Sequence, residues 1–214
     1  MVASMTACGS SKSESTDGAK EASESTDGAK EASDLKIGLI TDVGGVNDGS
    51  FNQSSWEGLE RAGEELGVTV NYLESATDAD YKPNMETFID EDLIISVGYM
   101  LADATREAAE ANPDTKFAII DDATIDLPNV TSLMFKAEQA SYLVGYVAGL
   151  TTKTNNIGFV VGMTNETMNQ FGYGYCAGAI DANPDITVQQ MNANSFADSA
   201  TGKSMANAEI TNGA

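Results

Sequence analysis

The chain has 214 residues, 33 of them Asp or Glu against 11 Lys or Arg, for a net charge of -22, with two cysteines and no histidine. That balance repels phosphate backbones and offers no basic face to nucleic acid, and it removes the commonest general base and metal ligand. The length allows one domain or two small lobes, and no run approaches the ~20 apolar residues a membrane span requires.

In chain order, Met5-Thr6-Ala7-Cys8 followed by Gly9-Ser10-Ser11 has the form of the end of a lipoprotein signal, whose cysteine becomes the lipidated first residue. No basic or apolar stretch precedes it, so the expectation is an anchor at Cys8 in a chain whose start is cut; a plain free cysteine is the alternative. Residues 13–22, SESTDGAKEA, recur unchanged at 23–32. Without large apolar residues such a tract cannot offset its ordering entropy, and it is expected to be a disordered tether of roughly 25 to 30 Å. Residues 1–33 are therefore set apart as signal remnant and linker.

From Asp34 onward the pattern alternates. Strands are expected at Lys36 to Thr41, Val68 to Leu73, Leu93 to Val97, Phe117 to Asp121 and Val130 to Phe135, each a short apolar or β-branched run between turn formers. Helices are expected at Phe51 to Leu66, Asn84 to Glu91, Leu101 to Ala111 and Ala137 to Leu150. A polar joint, TTKTNN at 151–156, leads to a second series: a strand at Ile157 to Gly162, a helix at Asn169 to Ala182, a strand at Thr187 to Met191 and a helix at Ala206 to Thr211. The expected organisation is a first βα lobe over 34–150 and the start of a second over 151–214, both with parallel sheets, the second lobe incomplete.

Candidate ligand residues gather where strands end, because in α/β folds the carboxyl rim presents free backbone donors and aimed side chains. Asp42 closes the first strand and can accept hydrogen bonds; the plainer reading is that it, or Asp48, caps the next helix. Phe51, at a polar helix start beside Asn52, is either core packing or a face for a flat ring. Asp121 and Asp122 close another strand, but adjacent strand residues point to opposite faces, so only one can face a cleft. The segment ADSATGKS at 197–204 loosely fits a phosphate loop; with a single glycine and no hydrolytic machinery in the first lobe, that reading is set aside.

The segment KIGLITDVGGVNDGSFNQSSWEGL, continued by SATDADYKPNMETFID, DLIISVGYM, KFAIIDDA, FKAEQASYLVGYVAGL, IGFVVGM and NSFADSATGKS, resembles the basic membrane protein family of purine-nucleoside-binding lipoproteins. The resemblance implies a type I periplasmic binding protein fold, capture of a purine nucleoside for an ABC transporter permease, and a lipid anchor, with no catalysis and no cofactor. It further implies a base clamped between Phe51 of the SFN segment and Phe196, with Phe171 as the alternative partner, and polar contacts from Asp42, Asn52 and Asp121. The family's second lobe has several more strands and helices, so a chain this short is expected to bind more weakly than a longer one. The rival expectations are a nucleoside- or nucleotide-processing enzyme and a surface sensory or adhesion protein.

Overall fold

A computed structural model describes residues 34–214. The Cys8 anchor and the repeat tether lie outside the described residues. The first series runs β1 (Lys36–Ile40), α1 (Phe51–Leu66), β2 (Thr69–Leu73), α2 (Tyr81–Thr87), β3 (Leu93–Val97), α3 (Ala102–Ala111), β4 (Lys116–Ile120) and β5 (Val130–Leu133). It forms one parallel sheet in the order β2-β1-β3-β4-β5. After α4 (Ala137–Thr151), a second parallel pair, β6 (Asn156–Val161) and β7 (Thr187–Asn192), is joined by α5 (Glu166–Ala182) and followed by α6 (Ser199–Thr211).

Neighbouring strand residues serve opposite faces of the first sheet. Ile40, with Ile94 and Phe117, joins Met85 of α2 and Leu101 in one core layer, while Leu39 and Val97 join Leu59 of α1 in the other. Full burial of each such side chain contributes about 1.5–3 kcal/mol, so both faces must stay covered, and continuous apolar runs such as KFAII in β4 follow from that. α1 ends at Gly67, whose φ of 74° is open to a residue without Cβ and whose N–H caps the Gly63 carbonyl.

Three helix starts differ from expectation by three or more residues, and α2 also ends at Thr87 rather than Glu91. α2 begins at Tyr81 because Thr77 and Asp80 close the preceding turn, the Thr77 amide donating to Asp80 Oδ2 at 2.8 Å. Pro83 thus lies within its first turn, where a missing N–H costs nothing. α5 begins at Glu166, capped by Asn165 Oδ1, which accepts from Met168 N at 2.8 Å. α6 begins at Ser199 rather than Ala206. Asp198 caps it, accepting from Thr201 N at 2.9 Å and Thr201 Oγ1 at 2.6 Å. ADSATGKS is therefore a helix start whose free amides already face a carboxylate, which leaves no cradle for a phosphate.

α4 packs along α5. Ser141, Gly145 and Gly149 on α4 face Gly174, Gly178 and Ala182 on α5, and the backbones approach so closely that a Cβ at Gly145 or Gly178 would fall on the carbonyl oxygen of Tyr175 or Tyr142. Ser141 Oγ donates to the Phe171 carbonyl at 2.6 Å. By packing, α4 groups with α5 of the second series, whereas the sequence pattern sets it in the first lobe, before the joint expected at 151–156. The opposite face of α4, with Leu143, Val144, Val147 and Leu150, is exposed.

Candidate functional site

The loop from β1 to α1 is organised by one amide. Asn52 is 1% exposed, and its Nδ2 donates to Asp42 Oδ1 at 2.7 Å and to Asp48 Oδ2 at 3.0 Å, while its Oδ1 accepts from the Asp42 amide at 3.2 Å. Asp42 Oδ1 also accepts from Gly44 N at 2.8 Å. Both hydrogens of the Asn52 amide are thus committed inside the protein. The residue expected to touch ligand lines the pocket wall and orients Asp42.

Asp48 is the helix cap. Its carboxylate accepts from the amides of Ser50 (2.8 Å), Asn52 (2.9 Å) and Gln53 (3.1 Å). Burial pushes its pKa up, but these donors together outweigh burial and hold it below the usual aspartate value. Of the two readings open for the acids of this loop, capping falls to Asp48, and Asp42 is left at the rim.

Phe51 serves two environments. One part of its ring joins the core layer of Leu39, Leu59 and Val97, and the rest faces the pocket, where a Cβ on Gly98 would stand 3.2 Å from Phe51 Cε1. Gly98 has φ 99° at the end of β3, a conformation costly for other residues, so it turns the chain and leaves the ring room at once.

Asp121 and Asp122 part company as expected of adjacent strand-end residues. Asp122 turns inward, its Oδ1 accepting from Thr124 N and Thr124 Oγ1, both at 2.8 Å. Asp121 lines the pocket with a left-handed φ of 59°, which aspartate tolerates better than most residues, while its amide stays in register with Leu133 O at 3.0 Å. Burial pushes its carboxyl above the usual range.

From the second series come Phe171 on α5 and Phe196 in the loop after β7. The Phe196 ring lies on Gly162, where a Cβ would overlap it, and meets Tyr99 edge-to-face with centroids 6.3 Å apart and an interplanar angle of 76°. Asp42, Phe51, Asn52, Asp121, Phe171 and Phe196 all line one cavity of about 300 Å³ between the two series. Tyr99, Met100, Thr167 and Met168, which the sequence did not single out, line it too. Tyr99 was within reach of the rule that found Asp42 and Asp121, since it follows the carboxyl end of β3. Thr167 and Met168 were hidden because α5 starts three residues earlier than its apolar pattern. Among the described residues, three carboxylates and no lysine or arginine line the cavity.

A parallel five-stranded lobe, a second βα series and a cavity between them define a two-lobed solute-binding fold of the type I periplasmic kind. Residues 35–214 match the family model described as ABC transporter substrate-binding protein PnrA-like, and the chain belongs to that family. It is 42% identical to a CD4+ T-cell-stimulating antigen of Listeria innocua, over 97% of this chain and 57% of that protein. It is 41% identical to the ABC transporter nucleoside-binding protein BmpA of Lactococcus lactis, over 84% and 52%. Among solved structures, a solute-binding protein of an ABC transporter system from Aeropyrum pernix superposes with a TM-score of 0.77 at 29% identity, covering 84% of this chain and 53% of that one. The chain spans about half the length of the curated relatives it matches.

Proposed function

We propose that the chain captures a purine nucleoside outside the cytoplasm and delivers it to an ABC transporter permease without transforming it. The observation that carries this reading is the pairing of Phe51 and Phe196, rings from opposite lobes that border one cavity beside the carboxylates of Asp42 and Asp121. Aromatic faces suit a flat base, with stacking worth about 1 to 3 kcal/mol per base, and carboxylates suit its N–H groups and the ribose hydroxyls. A lining that carries acids and, among the described residues, no lysine or arginine favours an uncharged nucleoside over its phosphates. The name of the Lactococcus relative points the same way.

Incubation with inosine, adenosine and ATP, followed by identification of bound and released species, tests the reading. Recovery of unchanged, co-eluting nucleoside is expected; release of a cleaved or dephosphorylated product would overturn it.

Acid should weaken binding in a defined direction. Burial raises the pKa of Asp121, so if its carboxylate accepts a base N–H, binding is complete above the raised value and lost as pH falls through it. The loss should begin at higher pH than for a free aspartate. A charge-assisted hydrogen bond is worth about 1.5–3 kcal/mol, so Kd should rise by roughly one to two orders of magnitude. Calorimetric titrations across a pH series, with Asp121→Asn alongside, check this: the variant should bind weakly with the acid dependence flattened, whereas an unaltered profile would remove Asp121 from the site.

The anchor proposed at Cys8 would hold the body at the outer face of the membrane through the 13–32 repeat. Mass spectrometry of the mature protein should find a diacylglyceryl group on Cys8, and an unmodified thiol there would exclude it.

A further inference from the structure

Tyr99 is a first-lobe residue that touches two second-lobe residues at once. It opens the short turn Tyr99–Leu101 after β3, set by Gly98 with its left-handed φ. Its ring meets Phe196 edge-to-face, and its hydroxyl donates to Met163 Sδ at 3.7 Å. Phe196 and Met163 belong to the loops after β7 and β6, so both contacts bridge the cavity and exist only while the lobes are together.

The same geometry fixes the orientation of Phe196. One side of its ring lies against the backbone of Gly162, where no Cβ fits. Its 44% exposure leaves the ring otherwise free to swing in a loop, and Tyr99 is what meets it from across the cleft. Edge-to-face contact of this kind prefers one ring orientation, because the positive edge of one ring seeks the negative face of the other. Another bridge, Thr167 Oγ1 to the Asp121 carbonyl at 3.5 Å, is long and sets no ring plane.

We propose that Tyr99 is a positioning residue that holds the lobes closed over the cavity and presents Phe196 to the ligand. It acts through Phe196, and its effect falls on the closed-to-open ratio before any ligand arrives. This rests on reading the cavity as a two-lobe binding site, so the decisive measurement is made without ligand.

Spin labels at Glu60→Cys on α1 and Lys203→Cys on α6, both exposed positions, report the lobe separation by pulsed dipolar spectroscopy in the Cys8→Ser, Cys176→Ala background. With aromatic pairs worth about 0.5–1.5 kcal/mol, Tyr99→Ala should lower the closed-to-open ratio by about two- to tenfold. Tyr99→Phe, which keeps the ring contact but loses the hydroxyl contact with Met163, should move only part of the way, and Met163→Ala should match it from the opposite lobe. With inosine added, Tyr99→Ala should release it faster than the parent, with Tyr99→Phe between the two. An identical distance distribution in Tyr99→Ala and parent would overturn the proposal. Should the parent fail to bind inosine, the nucleoside reading falls while the ligand-free comparison still decides Tyr99.

Discussion

Phe51→Ala is expected to weaken nucleoside binding by about 1 to 3 kcal/mol, the value of one base stacked on one aromatic ring. The same substitution removes packing from the layer of Leu39, Leu59 and Val97, so some stability is lost with it. Phe51→Leu separates the two effects. Leucine refills most of that layer but offers no π face, so it should melt close to the parent and bind almost as weakly as Phe51→Ala. Titration calorimetry and thermal melts on both variants provide the check. Parental affinity in Phe51→Leu would make Phe51 a core residue that merely borders the cavity.

The second large effect concerns α4 and α5. Gly178→Ala should destabilise the protein by about 1–3 kcal/mol, although alanine is intrinsically favoured over glycine in a helix by about 1 kcal/mol. The collision wins because the new Cβ meets the backbone carbonyl of Tyr142, which no side-chain rotation can move aside. Gly202→Ala in α6 is the counterpart: nothing lies within 4 Å of its added Cβ, so the propensity gain should appear unopposed as a stabilisation of up to about 1 kcal/mol. Denaturant melts of the two variants should move in opposite directions. A stabilised Gly178→Ala would mean that the two helices do not cross at backbone contact.

The rim residues were legible because parallel strands announce their ends. Asp42 follows an apolar run after Thr41, and Asp121 follows one directly; one rule about carboxyl rims located Asp42 and the pair Asp121–Asp122, and the family resemblance chose Asp121 from the pair. What Asn52 does was not legible, since its role depends on bringing carboxylates ten and four positions away to one amide, and that distance exists only once the loop is folded. The helix starts were misplaced for a related reason. Asn165 and Asp198 are ordinary capping residues, but their contacts with Met168 N and Thr201 N exist only in the folded chain, and ADSATGKS also resembled a phosphate loop.

α4 illustrates a different gap. Its small residues recur every fourth position at Ser141, Gly145 and Gly149, a spacing visible in the sequence that marks a close helix crossing without naming the partner. The helix is apolar on all sides, so its periodicity could not tell which lobe it covers. The polar run TTKTNN then drew the expected joint to its C-terminal end. That α5 is the partner follows from matched Gly174 and Gly178 some thirty residues on, a tertiary fact.

The central claim, capture of an uncharged nucleoside in an acid-lined aromatic cleft, is tested most directly by titrating the protein with inosine and with inosine 5′-monophosphate under the same conditions. Saturable binding of inosine, with the monophosphate weaker by at least tenfold because its charge enters a cavity lined by Asp42, Asp48 and Asp121, is the predicted result. Equal or tighter binding of the monophosphate, or no binding of inosine, would contradict it.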